Sequence, residues 1–155
     1  MQNRPVLYML PGLLCDETVF APQVAGLSHA IDVRVPNFLS MDSLIDMAQH
    51  VLDIAPQRFS IAGFSMGGRV AFQIMAMAPE RIERFCAFDT GAGPKAEGEE
   101  IKRQAIIDLA YREGMGALAA AWLPPMLHPA RRVDPAFMEP LTAMVLRATP
   151  EMHER

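Results

Sequence analysis

The chain has 155 residues, enough for one ordinary domain with its own core, and 51% apolar against 21% charged residues exclude a disordered or fibrous protein. A net charge of -4 argues against a general nucleic-acid binder, because phosphate neutralisation needs clustered Lys and Arg. The pairs Lys102-Arg103 and Arg131-Arg132 read as solvated helix-end and loop charges.

Residues 5–10, Pro-Val-Leu-Tyr-Met-Leu, form a short apolar run that ends at Pro11-Gly12, as a parallel strand buried on both faces does. A signal peptide is the alternative for this run, but Arg4 alone makes a poor n-region and Leu14 before Cys15 is too large for a cleavage site. Val19, Phe20, Val24 and Leu27 follow at weak helical spacing, with Pro22 near the helix start. Residues 31–36 alternate and predict a second strand near the sheet edge. Ser40 then reads as an N-cap, with Asp42 and Asp46 early in a helix whose buried face is Leu44, Met47, Ala48, Val51, Leu52 and Ala55.

Pro56 stops that helix. Residues 58–62 predict a third strand, residues 66–78 a helix, and residues 84–88 a fourth strand ending in Asp89-Thr90-Gly91. Strands alternating with helices over residues 5–90 predict an α/β fold, a parallel sheet with helices on both faces. The composition changes at Gly93-Pro94-Lys95-Ala96-Glu97-Gly98, and beyond it the signals are helices and breakers. Ile101, Ala105, Asp108, Leu109 and Arg112 give one mixed face, and Leu118 to Leu123 a short apolar helix. Pro124-Pro125 interrupts the chain, and Leu141, Met144, Val145 and Ala148 belong to a further helix with Pro140 in its first turn. The division expected is an α/β unit over 1–94 and a helical segment over 95–155.

Gly63-Phe64-Ser65-Met66-Gly67 carries the chemistry. The chain must leave a strand and enter a helix within about two residues, so Ser65 sits on a tight turn whose apex calls for a strained, positive-φ backbone. Gly63 and Gly67 supply the small neighbours such a turn requires. The hydroxyl then projects above the C-terminal edge of the sheet, near a helix N-terminus whose N–H groups stabilise a developing oxyanion. Two nucleotide readings fail at identifiable positions. A dinucleotide fingerprint needs glycine where Ser65 stands, and a phosphate loop needs Lys and Ser or Thr where Arg69 and Val70 stand. The structural alternative is an ordinary turn with serine as the N-cap.

From Val6 to about Pro94 the chain resembles the first half of an α/β-hydrolase. Three stretches carry the resemblance: Leu10-Pro11-Gly12-Leu13-Leu14-Cys15-Asp16, Gly63-Phe64-Ser65-Met66-Gly67-Gly68, and Pro79-Glu80-Arg81-Ile82 leading to Phe88-Asp89-Thr90. Small cytosolic esterases, thioesterases and haloperoxidase-like members are the most similar. Residues 95–155, with Trp122-Leu123-Pro124-Pro125 and Leu127-His128-Pro129, are similar to the helical cap that the family inserts after this strand. The resemblance implies that Ser65 is the nucleophile and that the backbone N–H groups of Met66 and Leu13 form the oxyanion hole, with Leu14 the alternative to Leu13. Many relatives have His-Gly where this chain has Pro11-Gly12, a departure that leaves a backbone donor intact.

The family places its acid and histidine after the nucleophile, on loops following later strands. His29 and His50 precede Ser65 in helical segments and read as surface residues. His128, between prolines, reads as a cap or substrate-pocket residue, and His153 lies in the terminal Pro150-Glu151-Met152-His153-Glu154-Arg155, the wrong context for a post-strand loop. Asp89 stands where a minority of these enzymes place the acid; its other reading is a carboxylate bonding loop backbone. No strand-like run follows residue 90, so the fourth strand is expected at an exposed edge, and completing the sheet would take at least roughly 40 further residues. The expectation is accordingly a truncated and inactive chain of an ester- or thioester-cleaving serine hydrolase, able to self-associate through the exposed strand edge. A non-catalytic module binding an acyl ligand or a partner, and a chain complemented by a second one, are the alternatives.

No cofactor and no metal are expected, and the partner expected is a small-molecule acyl substrate, with no nucleic acid and no membrane. The Met-rich helical segment would suit an apolar acyl group, although methionine at helical spacing is more often core. Cys15 and Cys86 make neither a disulfide framework nor a metal site, which fits a reducing cytoplasm, and no apolar run reaches the ~18 residues of a membrane span.

Overall fold

The computed structural model describes residues 4–94 and 97–154. Lys95 and Ala96, at the change of composition, lie outside them. Two compact units divide the chain, Met1–Ala92 and Gly93–Arg155.

In the first unit, β1 (Val6–Leu10), β2 (Asp32–Arg34), β3 (Phe59–Phe64) and β4 (Ile82–Phe88) form one sheet in the order β2-β1-β3-β4, with every neighbouring pair parallel. The helices between them are α1 (Ala21–Leu27), α2 (Leu44–Ile54) and α3 (Met66–Met77), with a 3-10 turn at Glu17–Phe20 leading into α1. Successive strand side chains point to opposite faces, and the core divides accordingly. Tyr8, Leu10, Phe59 and Ile61 pack with Met47, Ala48, Val51 and Leu52 of α2 and with Val70, Ala71 and Ile74 of α3. Met9 and Ala62 face the other way, against Phe20 and the partly buried Leu7, Val24 and Val33. Both faces of the interior strands β1 and β3 are covered, as the alternation of elements requires. β2 and β4 are the edges, and on β4 every residue from Glu83 to Phe88 is exposed, as expected of a strand with no partner beyond it.

Two helix boundaries differ from those read in the sequence. Ser43, not Ser40, caps α2: it sits at φ -126°, ψ 126° and its side chain accepts from Asp46 N–H at 3.3 Å. Ser40 is followed by a residue still engaged in a turn, Met41 N–H donating to the Phe38 carbonyl at 2.9 Å. The cap therefore falls three residues later.

Arg81, in the 3-10 turn Pro79–Arg81 before β4, ties the unit together in a way the sequence did not disclose. Its guanidinium donates to the carbonyls of Leu52, Ala55 and Pro56, each at 2.9 Å, and to Gln57 at 3.4 Å. These include the carbonyls that the last turn of α2 leaves without intrahelical donors. The same guanidinium lies 5.4 Å from the Phe59 ring centroid.

The second unit contains α4 (Glu99–Trp122), α5 (Pro129–Arg132), α6 (Pro135–Leu146) and α7 (Pro150–Glu154). Gly114, at φ 83° and ψ 171°, interrupts α4. The mixed face up to Arg112 and the apolar run from Leu118 thus fall on opposite sides of a break. α6 begins earlier than its apolar residues suggest, because Pro135 takes the first helical position after Asp134, where its missing N–H is harmless. Pro140 is consequently inside the helix rather than in its first turn.

His153, in the wrong sequence context for a post-strand loop, is 5% exposed, and its Nδ1 has no hydrogen-bond partner among the described residues. Burial, reinforced by the Arg103 charge, lowers its pKa. The unfolded chain, with an imidazole near 6.5, takes up the proton first as the pH falls, so this contribution to stability is complete above the unfolded pKa and is lost below it. Urea unfolding of the second unit is expected to shift to lower denaturant between about pH 7 and about pH 5. His153→Leu should flatten that shift, and an unaltered pH dependence in the variant would remove His153 as its source.

Candidate active site

β3 is the second interior strand of the sheet, and its register with β1 runs to Leu10↔Gly63 and with β4 to Phe64↔Phe88. Ser65 follows immediately, at the C-terminal edge, and α3 begins at Met66. Its backbone has φ 53° and ψ -118°, outside the ordinary range for a residue bearing a side chain. Such a conformation costs on the order of 1–3 kcal/mol and persists only where the surroundings hold it.

The comparison with Ser43 in the same chain decides between a capping serine and something else. An N-cap serine has extended backbone and bonds its hydroxyl to an N–H of the first turn; Ser43 does both. Ser65 does neither, and its side chain makes no capping hydrogen bond. The hydroxyl is left available, and the residue is half-buried.

The glycines around it are steric necessities. A Cβ on Gly63 would lie 2.4 Å from the Gly67 carbonyl oxygen, and one on Gly67 would lie 2.0 Å from the Leu10 carbonyl oxygen. One on Gly68 would lie 2.4 Å from the Thr90 methyl. Gly63 and Gly67 are legible from the motif; the role of Gly68 depends on Thr90, two residues beyond the end of β4. A Cβ on Gly12 would stand 3.3 Å from the Ser65 Cβ, so the loop after β1 runs directly beside the serine.

That loop carries Leu13 and Leu14. Cys15 N–H donates to the Gly12 carbonyl at 3.1 Å, closing a four-residue turn with Leu14 at φ 58° in its third position. Glycine usually takes that position. Leucine is held there by burial, at 2% exposure, a constraint the sequence does not announce. Met66, as the first residue of α3, has an N–H with no intrahelical acceptor. The two backbone segments named as oxyanion donors therefore flank Ser65, one on the helix and one on the adjoining loop.

Backbone bonds lock the turn. Ser65 N–H donates to the Phe88 carbonyl at 3.0 Å, and the Ser65 carbonyl accepts from Gly68 N–H at 3.0 Å and Arg69 N–H at 3.4 Å. It also accepts from the Thr90 hydroxyl at 2.7 Å. Asp89, between Phe88 and Thr90, is exposed at φ 45°.

His29 is exposed and His50 half-buried in α2. His128 is exposed, its Nδ1 accepting from Ala130 N–H at 3.3 Å at the start of α5. Cys15 is buried, its thiol pushed up to about 12 by burial and the neighbouring Asp16 charge, and so stays protonated; Cys86 is exposed, and the two are unpaired. Among the described residues no cluster of His, Cys, Asp and Glu is arranged to hold a metal ion, and no helix is long and apolar enough to cross a membrane.

A parallel sheet with helices on both faces, and a serine on the turn that leaves an interior strand for a helix, has the architecture of an α/β-hydrolase. No family model matches the chain. A pimeloyl-(acyl-carrier protein) methyl ester esterase of Nitrosomonas europaea is 33% identical over 90 residues, which make up 53% of this chain and 36% of that protein. A putative 2-succinyl-6-hydroxy-2,4-cyclohexadiene-1-carboxylate synthase of Bacillus subtilis is 30% identical over 81 residues, 50% of this chain and 30% of that protein. Among solved structures, the enol-lactonase from Burkholderia xenovorans LB400 matches with a TM-score of 0.79 and 25% identity, over 97% of this chain and 62% of that one. The chain shares the α/β-hydrolase fold with these proteins, and its matches span about a third of the length of the curated relatives.

Proposed function

We propose that this chain carries the nucleophile and oxyanion-binding portion of a serine hydrolase that cleaves a carboxylic ester or related acyl bond. The observation that carries the reading is the Ser65 backbone, at φ 53° and ψ -118°, with a hydroxyl withheld from helix capping. An ordinary turn has no reason to bear that strain on a residue with a side chain. Relatives named as esterases supply the bond class.

In this reading Ser65 Oγ attacks the acyl carbon and passes its proton to a general base, while the Met66 and Leu13 N–H groups receive the negative charge on the carbonyl oxygen. Collapse of the tetrahedral intermediate expels the alcohol, which takes up the proton from the base. Water then attacks the Ser65 acyl ester by the same route and restores the hydroxyl. Two preorganised N–H donors are worth about 3–4 kcal/mol each when removal of one costs 10²–10³ in rate. The base is not assigned to any of the four histidines.

A fluorophosphonate probe tests the central role. Treatment of the chain is expected to add one phosphonyl group, mapped by peptide mass to Ser65 and absent in Ser65→Ala. No adduct on Ser65 in the folded chain would overturn an activated nucleophile and favour a module that binds an acyl ligand without turnover. The latter reading has one observation in its favour: the His128 Nδ1 accepts from the Ala130 N–H, and His153 is buried within the helical unit.

A further inference from the structure

The end of β4 does more than finish a strand. In a parallel ladder the N–H and C=O of one residue bond to two partner residues lying two positions apart. Ser65 follows that pattern on one side, its N–H donating to the Phe88 carbonyl at 3.0 Å. Continuing the ladder would bring the Thr90 N–H to the Ser65 carbonyl. Asp89, however, turns the chain with φ 45°, a conformation Asp tolerates. The Thr90 hydroxyl reaches the Ser65 carbonyl instead, at 2.7 Å.

We infer that Thr90 is a positioning residue: its hydroxyl replaces the missing ladder donor and holds Ser65 in its strained conformation. The side chain works in two ways. Its hydroxyl fixes the Ser65 carbonyl and hence the direction of the following peptide, whose N–H belongs to Met66. Its methyl lies against Gly68, where even a Cβ would approach to 2.4 Å, so the start of α3 has little freedom to move toward β4. Phe88, the last residue of β4, and Thr90, just beyond it, thereby grip both polar groups of the Ser65 backbone. As far as catalysis is concerned the inference rests on Ser65 being the nucleophile; the clamp on its backbone does not.

Hydrogen exchange and phosphonylation, measured on the full chain, separate the two. In Thr90→Val, which keeps the shape and loses the donor, the Ser65 amide is expected to exchange about tenfold faster, as the loss of one net hydrogen bond implies. Amides of Tyr8 and Leu10 in β1 should be unchanged, and Thr90→Ser, which keeps the hydroxyl, should restore slow exchange at Ser65. Phosphonylation of Thr90→Val should show a lower limiting rate with an unchanged half-saturating probe concentration. Unchanged Ser65 exchange in Thr90→Val, equal acceleration in Thr90→Ser, or equal acceleration throughout β1 would each overturn the inference. If the parent chain takes no phosphonyl group while the exchange pattern holds, the clamp stands and the nucleophile reading fails.

Discussion

Gly67→Ala is expected to destabilise the protein by about 4 kcal/mol or more. The added Cβ would sit 2.0 Å from the Leu10 carbonyl oxygen, 2.5 Å from its carbon and 2.6 Å from the Pro11 oxygen. All three are backbone atoms, so no side-chain rotation relieves the contact. β1 and α3 would have to separate, and the Leu10↔Gly63 end of the β1–β3 pairing would open with them. Set against a total stability of about 5–15 kcal/mol, the loss is roughly a quarter or more of what holds the native state. Gly26→Ala is the control: nothing lies within 4 Å of where its methyl would stand, and a helix-interior Gly to Ala change should stabilise by roughly 0.5–1 kcal/mol. Thermal melting of both variants checks the pair. A Gly67→Ala protein melting near the parent would mean that the turn is looser than its contacts require.

Arg81→Met comes second, with an expected loss of about 2–3 kcal/mol. Methionine keeps an unbranched side chain but removes the guanidinium beside Phe59 and leaves the Leu52, Ala55, Pro56 and Gln57 carbonyls without their charged donor. Arg81→Lys should recover only part of the loss, because a single ammonium cannot present the planar fork that reaches four carbonyls on the α2–β3 connection. Urea midpoints of the three proteins order them as Arg, Lys, Met. Equal midpoints for lysine and methionine would show that charge alone contributes nothing there.

Both effects come from contacts between segments far apart in the chain, and they mark how far the sequence could be read. The strands and helices of residues 5–90 were legible because their periodicities are local: apolar runs at β1 and β3, and the spacing of Met47, Ala48, Val51 and Leu52 on α2. Gly63, Ser65 and Gly67 were legible because a strand-to-helix turn imposes its demands within five residues. Boundaries were less so. Ser40 and Ser43 are equivalent as caps until the turn at Phe38–Met41 is formed, and Pro140 reads as a helix start until Asp134-Pro135 is seen to begin the helix first.

The sequence by itself determined a parallel α/β unit, a helical segment after it, and a serine placed where a strand gives way to a helix. Only the tertiary structure decided that this serine is not a cap, because that distinction lies in φ, ψ and an unmade hydrogen bond. Only the tertiary structure brought Thr90 to the Ser65 carbonyl and Arg81 to the end of α2, and placed Leu14 in a glycine-like conformation. Each depends on residues that become neighbours when separate strands pair, and hydrogen-bonding partners 25 or more positions apart leave no periodic trace in the chain.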